Sequence, residues 1–145
     1  MKLKTVVLIT TAILFFQSNL FAAAKMNPVV TAYLNKLAEK QKKKDPSFVW
    51  FSAEEGKTLY FKEHLHSKKN KIRNCATCHK KDPTFPAAHA DTGKKIKPLA
   101  PSVNSKRFTK RKKMNKWFRR NCKWVLERQC TNKEKGDFLV WMFSL

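Results

Sequence analysis

Cysteine and histidine are scarce in this chain of 145 residues, which contains four of each. Cys122 and Cys130 lie eight residues apart with no histidine near them, so the second ligand pair that structural zinc requires is missing. No strand pattern precedes Cys75, so the βαβ setting of a thioredoxin-like redox pair is missing as well. The sequence therefore argues against a zinc site and against a disulfide oxidoreductase.

The other two cysteines belong to one motif, Cys75-Ala76-Thr77-Cys78-His79. Two thiols and an imidazole at this spacing are what covalent c-type haem attachment requires. Each thiol adds to one vinyl group of the porphyrin, and the histidine that follows becomes the proximal iron ligand. The motif predicts one haem c with its iron, held by Cys75, Cys78 and His79.

A clear membrane-spanning run is also lacking, because the apolar residues 5–20 are interrupted by polar residues 17–19. Residues 1–4 are a short basic start, and residues 22–24 are small, as at a cleavage site. This pattern predicts a secretory signal peptide over residues 1–24 and a periplasmic protein, rather than a membrane anchor. We expect an N-terminal helical extension over residues 25–47 and a cytochrome c domain over residues 48–145.

Acidic residues are few, with 10 Asp and Glu against 32 Lys and Arg and a formal net charge of +22. Loss of the signal peptide removes Lys2 and Lys4 and leaves a charge of +20. Because an exported protein seldom meets nucleic acid, we expect an acidic redox partner or an anionic membrane surface instead. A basic surface that is merely solvated is an equal alternative.

Strand-like alternation and internal repeats are absent, which predicts an all-α fold. Capping residues and apolar spacing predict helices over 28–44, from Ser52 toward His66, from Thr109, and from Thr131. Gly56 and Gly136 are expected to let two helices cross closely, unless the helices merely tolerate them. The Pro- and Gly-rich residues 82–105 predict a long loop that wraps the porphyrin.

Cys122 and Cys130 are expected to form a disulfide, because an exported protein with two remaining cysteines usually pairs them. A continuous helix would separate them by about 12 Å, too far for a disulfide, so the third helix must end between them. The bridge would fix the backbone at Asn121, or simply stabilise a small domain.

The second axial ligand decides between functions, because an ordinary electron carrier uses Met or His there. Met114 is the main candidate, since it is predicted to share a helix face with Asn121, although Met at such a position is usually core. The remaining candidates are explained as packing or lie on the proximal side, namely Met26, Met142, His64, His66 and His89.

The attachment motif, residues 95–102, residues 107–109, and residues 116–122 with Cys130 resemble the sphaeroides haem protein family of c-type cytochromes. The resemblance covers residues 48–145. It implies a class I cytochrome c fold, His79 as proximal ligand, Asn121 as distal ligand and a Cys122–Cys130 disulfide. It also implies a reduced haem that binds oxygen and other small diatomics, and electrons received from a dihaem cytochrome.

A neutral carboxamide is a weak, hard donor that suits ferric iron better than ferrous iron. Our hypothesis is that Asn121 leaves on reduction and that oxygen, nitric oxide or carbon monoxide then binds. On the proximal side, the other ring nitrogen of His79 needs an acceptor, for which the carbonyl of Pro98 is a candidate, although Pro98 is equally a turn former. The alternatives are a saturated electron carrier with Met114 as ligand and an oxygen- or nitric-oxide-reducing enzyme or dioxygenase.

Overall fold

The computed structural model describes residues 24–145. The predicted signal peptide therefore lies outside the described residues, apart from Ala24. The described part contains the helices α1 (Pro28–Lys42), α2 (Ala53–Phe61), α3 (Ala76–His79), α4 (Arg111–Leu126) and α5 (Asn132–Ser144). None of these helices is long and apolar enough to span a bilayer. The predicted all-α class is confirmed.

Helix α1 begins as the sequence predicts. The Asn27 side chain accepts hydrogen bonds from the N–H groups of Val29 and Val30, both at 3.1 Å, and Pro28 occupies the first helical position. The helix ends at Lys42 rather than Lys44, because Asp45 precedes Pro46 and a residue before proline avoids the helical conformation. The apolar face of α1 packs against α4 and α5, so the N-terminal extension is part of the core.

Helices α2 and α5 cross closely at Gly56. A Cβ atom at Gly56 would collide with the backbone carbonyl of Asp137, so only glycine permits this separation. Gly136 serves a related purpose, but the group it accommodates is the ring of Phe51, just before α2. The buried carboxylate of Asp137 also accepts the N–H of Ser52 at 2.9 Å, which ties the start of α2 to α5.

Two short hairpins were not predicted. Strand β1 (His64–His66) pairs antiparallel with β2 (Lys71–Arg73), and β3 (Ala87–Ala88) pairs antiparallel with β4 (Lys95–Ile96). The prediction that the second helix continues toward His66 was wrong, because α2 ends at Phe61 and the chain turns into β1. Strands of two or three residues are too short to show an alternating pattern, which is why the sequence did not indicate them.

The core consists of two apolar clusters. The first joins α1, α4 and α5 and contains Val30, Tyr33, Leu34, Leu37, Phe48, Phe51, Met114, Leu139 and Phe143. The second contains Tyr60, Leu99, Trp141 and Met142, and Cys75 and Ala76 pack against it. The attachment motif therefore lies against the second cluster, whereas α1 covers the first.

Helix α4 starts at Arg111, two residues after the predicted Thr109, and ends at Leu126. Glu127 then adopts a left-handed conformation with φ of 55°, which reverses the chain. This end lies between Cys122 and Cys130, as the spacing argument required. In the structure a disulfide joins these two cysteines, with 5.5 Å between their Cα atoms.

Candidate functional site

The attachment motif forms a single helical turn that is anchored to the end of α2. The N–H of Cys75 donates to the carbonyl of Tyr60 at 3.1 Å, and Asn74 Nδ2 donates to the carbonyl of Phe61 at 3.2 Å. Asn74 Oδ1 in turn accepts the N–H of Thr77 at 2.9 Å. Helix α2 and its crossing with α5 thus fix where the motif lies.

Neither motif cysteine takes part in a disulfide within residues 24–145. Burial, reinforced by the neighbouring Cys78, raises the pKa of Cys75 to about 12, so Cys75 is neutral at physiological pH. Cys78 Sγ accepts the N–H of Ala90 at 3.3 Å, which connects the motif to the loop that follows. Both sulfur atoms are held on one helical turn, as two thioether bonds to one porphyrin require.

His79 ends α3 in a largely buried position. Burial first, and the positive charge of Arg107 second, lower its pKa to about 4. The imidazole is therefore neutral near pH 7 and keeps a nitrogen lone pair, as an iron ligand must. Two thiols followed by a neutral imidazole form the donor set of haem c, so the residues present fit this group.

The carbonyl of Pro98 has different partners from those expected. It accepts hydrogen bonds from Asn104 Nδ2 at 2.9 Å and from Arg107 Nε at 2.8 Å, which occupy both of its lone pairs. No hydrogen bond from His79 to this carbonyl is seen within residues 24–145, and the role expected of Pro98 toward His79 stays a prediction. Arg107 also donates to the carbonyl of Lys97, so this arginine, which the sequence analysis did not single out, holds the exit of the loop beside His79.

Residues 82–105 form an ordered loop rather than a structureless one. The carbonyl of Pro83 accepts the N–H groups of Leu99 at 2.8 Å and Ala100 at 3.1 Å. Between these contacts, β3 and β4 pair with each other. Leu99 and Ala100 are buried, and Leu99 belongs to the second cluster, against which Cys75 packs.

Met114 and Asn121 have contrasting environments on α4. Met114 is only 4% exposed and belongs to the first cluster, together with α1 residues. Asn121 is exposed and lies next to the disulfide. Trp117, which lies between them on the same helix, is 49% exposed, with Arg120 and Lys116 above its ring.

Arg73 is a site residue that the sequence did not single out. Its side chain is buried, with the guanidinium carbon 3.7 Å from the centroid of the Trp124 ring and Nη2 3.6 Å from Asp91 Oδ2. Trp124 lies three residues after Asn121 on α4, and Arg73 lies two residues before Cys75. This stacked pair thus joins the segment before the attachment motif to the helix that carries Asn121.

The β1–β2 hairpin is joined to the disulfide loop through Glu127. Glu127 accepts the backbone N–H of Ser67 at 2.9 Å and its hydroxyl at 2.7 Å, and it lies 3.4 Å from His66 Nδ1. The hydrogen bonds from Ser67 are the main reason that the pKa of Glu127 lies below its ordinary value. The nearby cleft, of about 480 Å³, is rich in basic groups and is lined by His66, Arg119, Arg120, Lys123, Trp124 and Gln129.

No group of three or more His, Cys, Asp or Glu side chains suited to a metal ion exists within residues 24–145.

Three comparisons with known proteins agree with one another. The family described as Domain of unknown function (DUF1924) matches residues 46–142. Cytochrome c-type protein SHP of Cereibacter sphaeroides is 42% identical over 90 residues, which are 62% of this chain and 68% of that protein. Cytochrome c'' of Methylophilus methylotrophus is 31% identical over 144 residues, which are 99% of this chain and 96% of that protein.

Solved structures of the same two proteins resemble this fold. Oxidised cytochrome c'' superposes with a TM-score of 0.73 at 28% identity, over 80% of this chain and 94% of that one. Its solution structure, described as giving insights into haem-ligand detachment, has a TM-score of 0.71 at 29% identity, over 79% and 92%. Oxidised SHP, described as an oxygen-binding cytochrome c, has a TM-score of 0.65 at 34% identity, over 77% and 96%.

Proposed function

Because the chain belongs to the DUF1924 family and is similar to SHP and cytochrome c'', we propose that it is a periplasmic cytochrome whose distal ligand, Asn121, is released on reduction. Release of the amide would allow oxygen or another small diatomic, such as nitric oxide or carbon monoxide, to bind. We propose that this ligand binding is coupled to electron transfer and is not a step of a catalysed reaction.

The chain is a cytochrome with a c-type haem, and its fold is that of these relatives. When bound, the haem supplies an iron that changes oxidation state and has two axial positions. Cys75 and Cys78 would hold it through thioethers, and His79 would be the proximal ligand. Arg107 would support this side, because it fixes the loop exit at Pro98 close to the imidazole.

The burial of Met114 is the observation that carries the assignment of Asn121. Met114 packs between α1 and α5 in the first cluster, whereas Cys75 packs against the second cluster. A methionine ligand would have to leave a packed core, at a cost of about 2 to 5 kcal/mol judged from core truncations. Asn121 is exposed on the same helix and needs no such rearrangement.

The chemistry of the amide supports its release. A neutral carboxamide oxygen is a hard, weak donor, so it favours ferric over ferrous iron. The disulfide at the next residue, with the Glu127 contacts to Ser67, holds the backbone of this part of α4 while the side chain moves. After release, the amide would be able to return, or to donate a hydrogen bond to a bound gas.

The electron donor is proposed to be an acidic redox protein such as a dihaem cytochrome. The basic cleft beside α4 includes Arg119, Arg120 and Lys123, which flank Asn121 in the sequence. Opposite charges on two proteins steer their encounter and raise the association rate. The signal-peptide pattern of residues 1–24 supports export to the periplasm.

Absorption spectra of the haem-loaded protein test this function. We expect the ferric protein to be six-coordinate, and the dithionite-reduced protein to become high-spin and to bind carbon monoxide. The Asn121→Ala variant should change the ferric spectrum and remain able to bind the gas when reduced, because only the distal amide has been removed.

Met114→Leu is the matched control, since it removes a thioether on the same helix and nearly conserves volume. Its spectra should equal those of the parent protein. A reduced parent protein that stays low-spin and ignores carbon monoxide, together with a changed Met114→Leu spectrum, would identify a saturated electron carrier instead.

A further inference from the structure

Three helices enclose a second cleft, of about 150 Å³, that the haem function does not use. Helix α1 contributes Lys36 and Lys40, α4 contributes Arg111, and α5 contributes Lys135. No carboxylate lines this cleft. Because the family match begins at residue 46, the α1 wall lies outside the part of the chain that the family match covers.

The four cations lack counter-ions. None of them forms a salt bridge with any residue in the range 24–145. Glu134 precedes Lys135, but its carboxylate pairs with Arg128 at 2.6 and 2.8 Å and accepts the N–H of Thr131 at 2.7 Å. Burial and the positive charge of Lys40 lower the pKa of Lys135, as expected where like charges approach each other.

Hydrogen-bond donors complete the lining. The hydroxyl of Tyr33 donates to Asn115 Oδ1 at 2.8 Å, which fixes the amide and leaves its Nδ2 group without an acceptor among the described residues. Asn132, also in the lining, makes no side-chain hydrogen bond within the same part of the chain. Arg111 and Asn132 are the first residues of α4 and α5, so the positive ends of both helix dipoles face this region.

We propose that this cleft binds a small tetrahedral oxyanion of the phosphate type. The charge of such an anion would be compensated by Lys36, Lys40, Arg111 and Lys135, and its oxygen atoms would accept from the amide of Asn115. Bound there, the anion would link α1 to α4 and α5 and thereby strengthen the attachment of the N-terminal extension. The anion site does not involve the haem iron. If no anion binds in this cleft, the proposed binding of gases at the haem is therefore unaffected.

Calorimetric titration of the mature haem-loaded protein with inorganic phosphate, at ionic strength held constant with chloride, tests the proposal. The parent protein should show saturable binding to one site, with an unchanged haem spectrum. The double variant Lys36→Gln/Lys135→Gln should bind at least about tenfold more weakly. The double variant Lys57→Gln/Lys62→Gln (the α2 variant), with one substitution in α2 and one at the residue that follows it, loses the same charge away from the cleft and should bind as the parent does.

Thermal unfolding gives a second measurement that does not depend on heat of binding. Phosphate should raise the melting temperature of the parent and of the α2 variant, but not of the cleft variant. Without phosphate, the cleft variant should melt at or above the parent temperature, because like charges have been removed. An equal phosphate response in both double variants, or no saturable response in the parent, would overturn the proposal.

Sedimentation with phosphatidylglycerol vesicles distinguishes a free anion from a lipid headgroup. If cosedimentation is lost in the cleft variant and free phosphate competes for it, the headgroup is the source. If phosphate binds and vesicles do not, the free anion is the ligand. Vesicle binding that is equal in the parent and the cleft variant, without phosphate binding, would assign membrane attraction to the general basic surface and reject the site.

Discussion

Arg73 and Trp124 show how one residue pair orients α4 relative to the attachment motif. The guanidinium carbon of Arg73 lies 3.7 Å from the centroid of the Trp124 ring, and Arg73 as a residue is only 4% exposed. Cation–π contacts are worth about 2 kcal/mol when they are desolvated and about 0.5 to 1 kcal/mol at exposed sites. Because Arg73 is buried, we expect its contact with Trp124 to have the larger, desolvated value and to stabilise the structure close to Asn121.

A double-mutant cycle of Arg73→Gln and Trp124→Leu should therefore give a coupling energy of about 1 to 2 kcal/mol in urea unfolding. The control cycle uses Arg120→Gln and Trp117→Leu, where the guanidinium carbon lies 5.4 Å from the centroid of a ring that is 49% exposed. We expect a coupling of only about 0.5 kcal/mol there. Equal couplings would show that burial does not strengthen the Arg73 contact.

At the scale of elements, the α2–α5 crossing determines where the attachment motif lies. Helix α2 ends at Phe61, and the carbonyls of Tyr60 and Phe61 receive the hydrogen bonds that hold Cys75 and Asn74. Any increase in the separation of the two helices would therefore move the motif. Gly56 is the position where this separation is smallest, because it faces the backbone of α5.

Gly56→Ala should destabilise the haem-loaded protein by about 1 to 3 kcal/mol in denaturant unfolding followed by circular dichroism. Helix propensity alone predicts that the alanine would raise the free energy of unfolding by about 1 kcal/mol. A lower free energy of unfolding would therefore report the clash with Asp137. Gly93→Ala is the control, since no atom lies within 4 Å of its Cβ position and only its φ of 66° is unfavourable. A stabilised Gly56→Ala variant would show that the helices separate without cost.

At the scale of the whole molecule, the excess of basic residues is the dominant property. The net charge is unevenly distributed, because α4 alone carries seven lysines and arginines and no acidic residue. Several of these basic residues are exposed next to Asn121. Such a field attracts acidic proteins from a distance, and salt screens it with a Debye length of about 10 Å at 0.1 M.

Electron transfer from an acidic cytochrome donor should therefore slow by about tenfold or more between low and high ionic strength. Stopped-flow reduction of the haem-loaded protein measures this rate. Arg119→Gln/Lys123→Gln, in the basic cleft, should reduce both the rate and its salt dependence more than Lys57→Gln/Lys62→Gln, in α2 and at the residue that follows it. A rate that is independent of salt would show that the basic surface is merely solvated and does not steer a redox partner.

Much of the local structure could be predicted because its causes are local. Three helices are capped by the residues that the sequence indicated, namely Asn27, Ser52 and Thr131. Helix α4 ends between Cys122 and Cys130, as the geometry of a disulfide between them requires. The hairpins could not be predicted, since strands of two or three residues have no detectable period. The partners of Pro98 could not be predicted either, because Asn104 and Arg107 reach its carbonyl through a loop conformation that the sequence does not encode in any repeating pattern.

The sequence by itself determined the haem chemistry, because two thiols and an imidazole at fixed spacing react with and ligate a porphyrin wherever the turn is placed. It also determined the helical class and the basic charge, which depend on composition and on neighbouring residues. Only the tertiary structure decided that Met114 lies in the core beneath α1 while Asn121 lies exposed, although both had been predicted on one helix face. The physical reason is that burial depends on which elements pack together, and the packing of α1 against α4 and α5 is a contact between residues far apart in the chain.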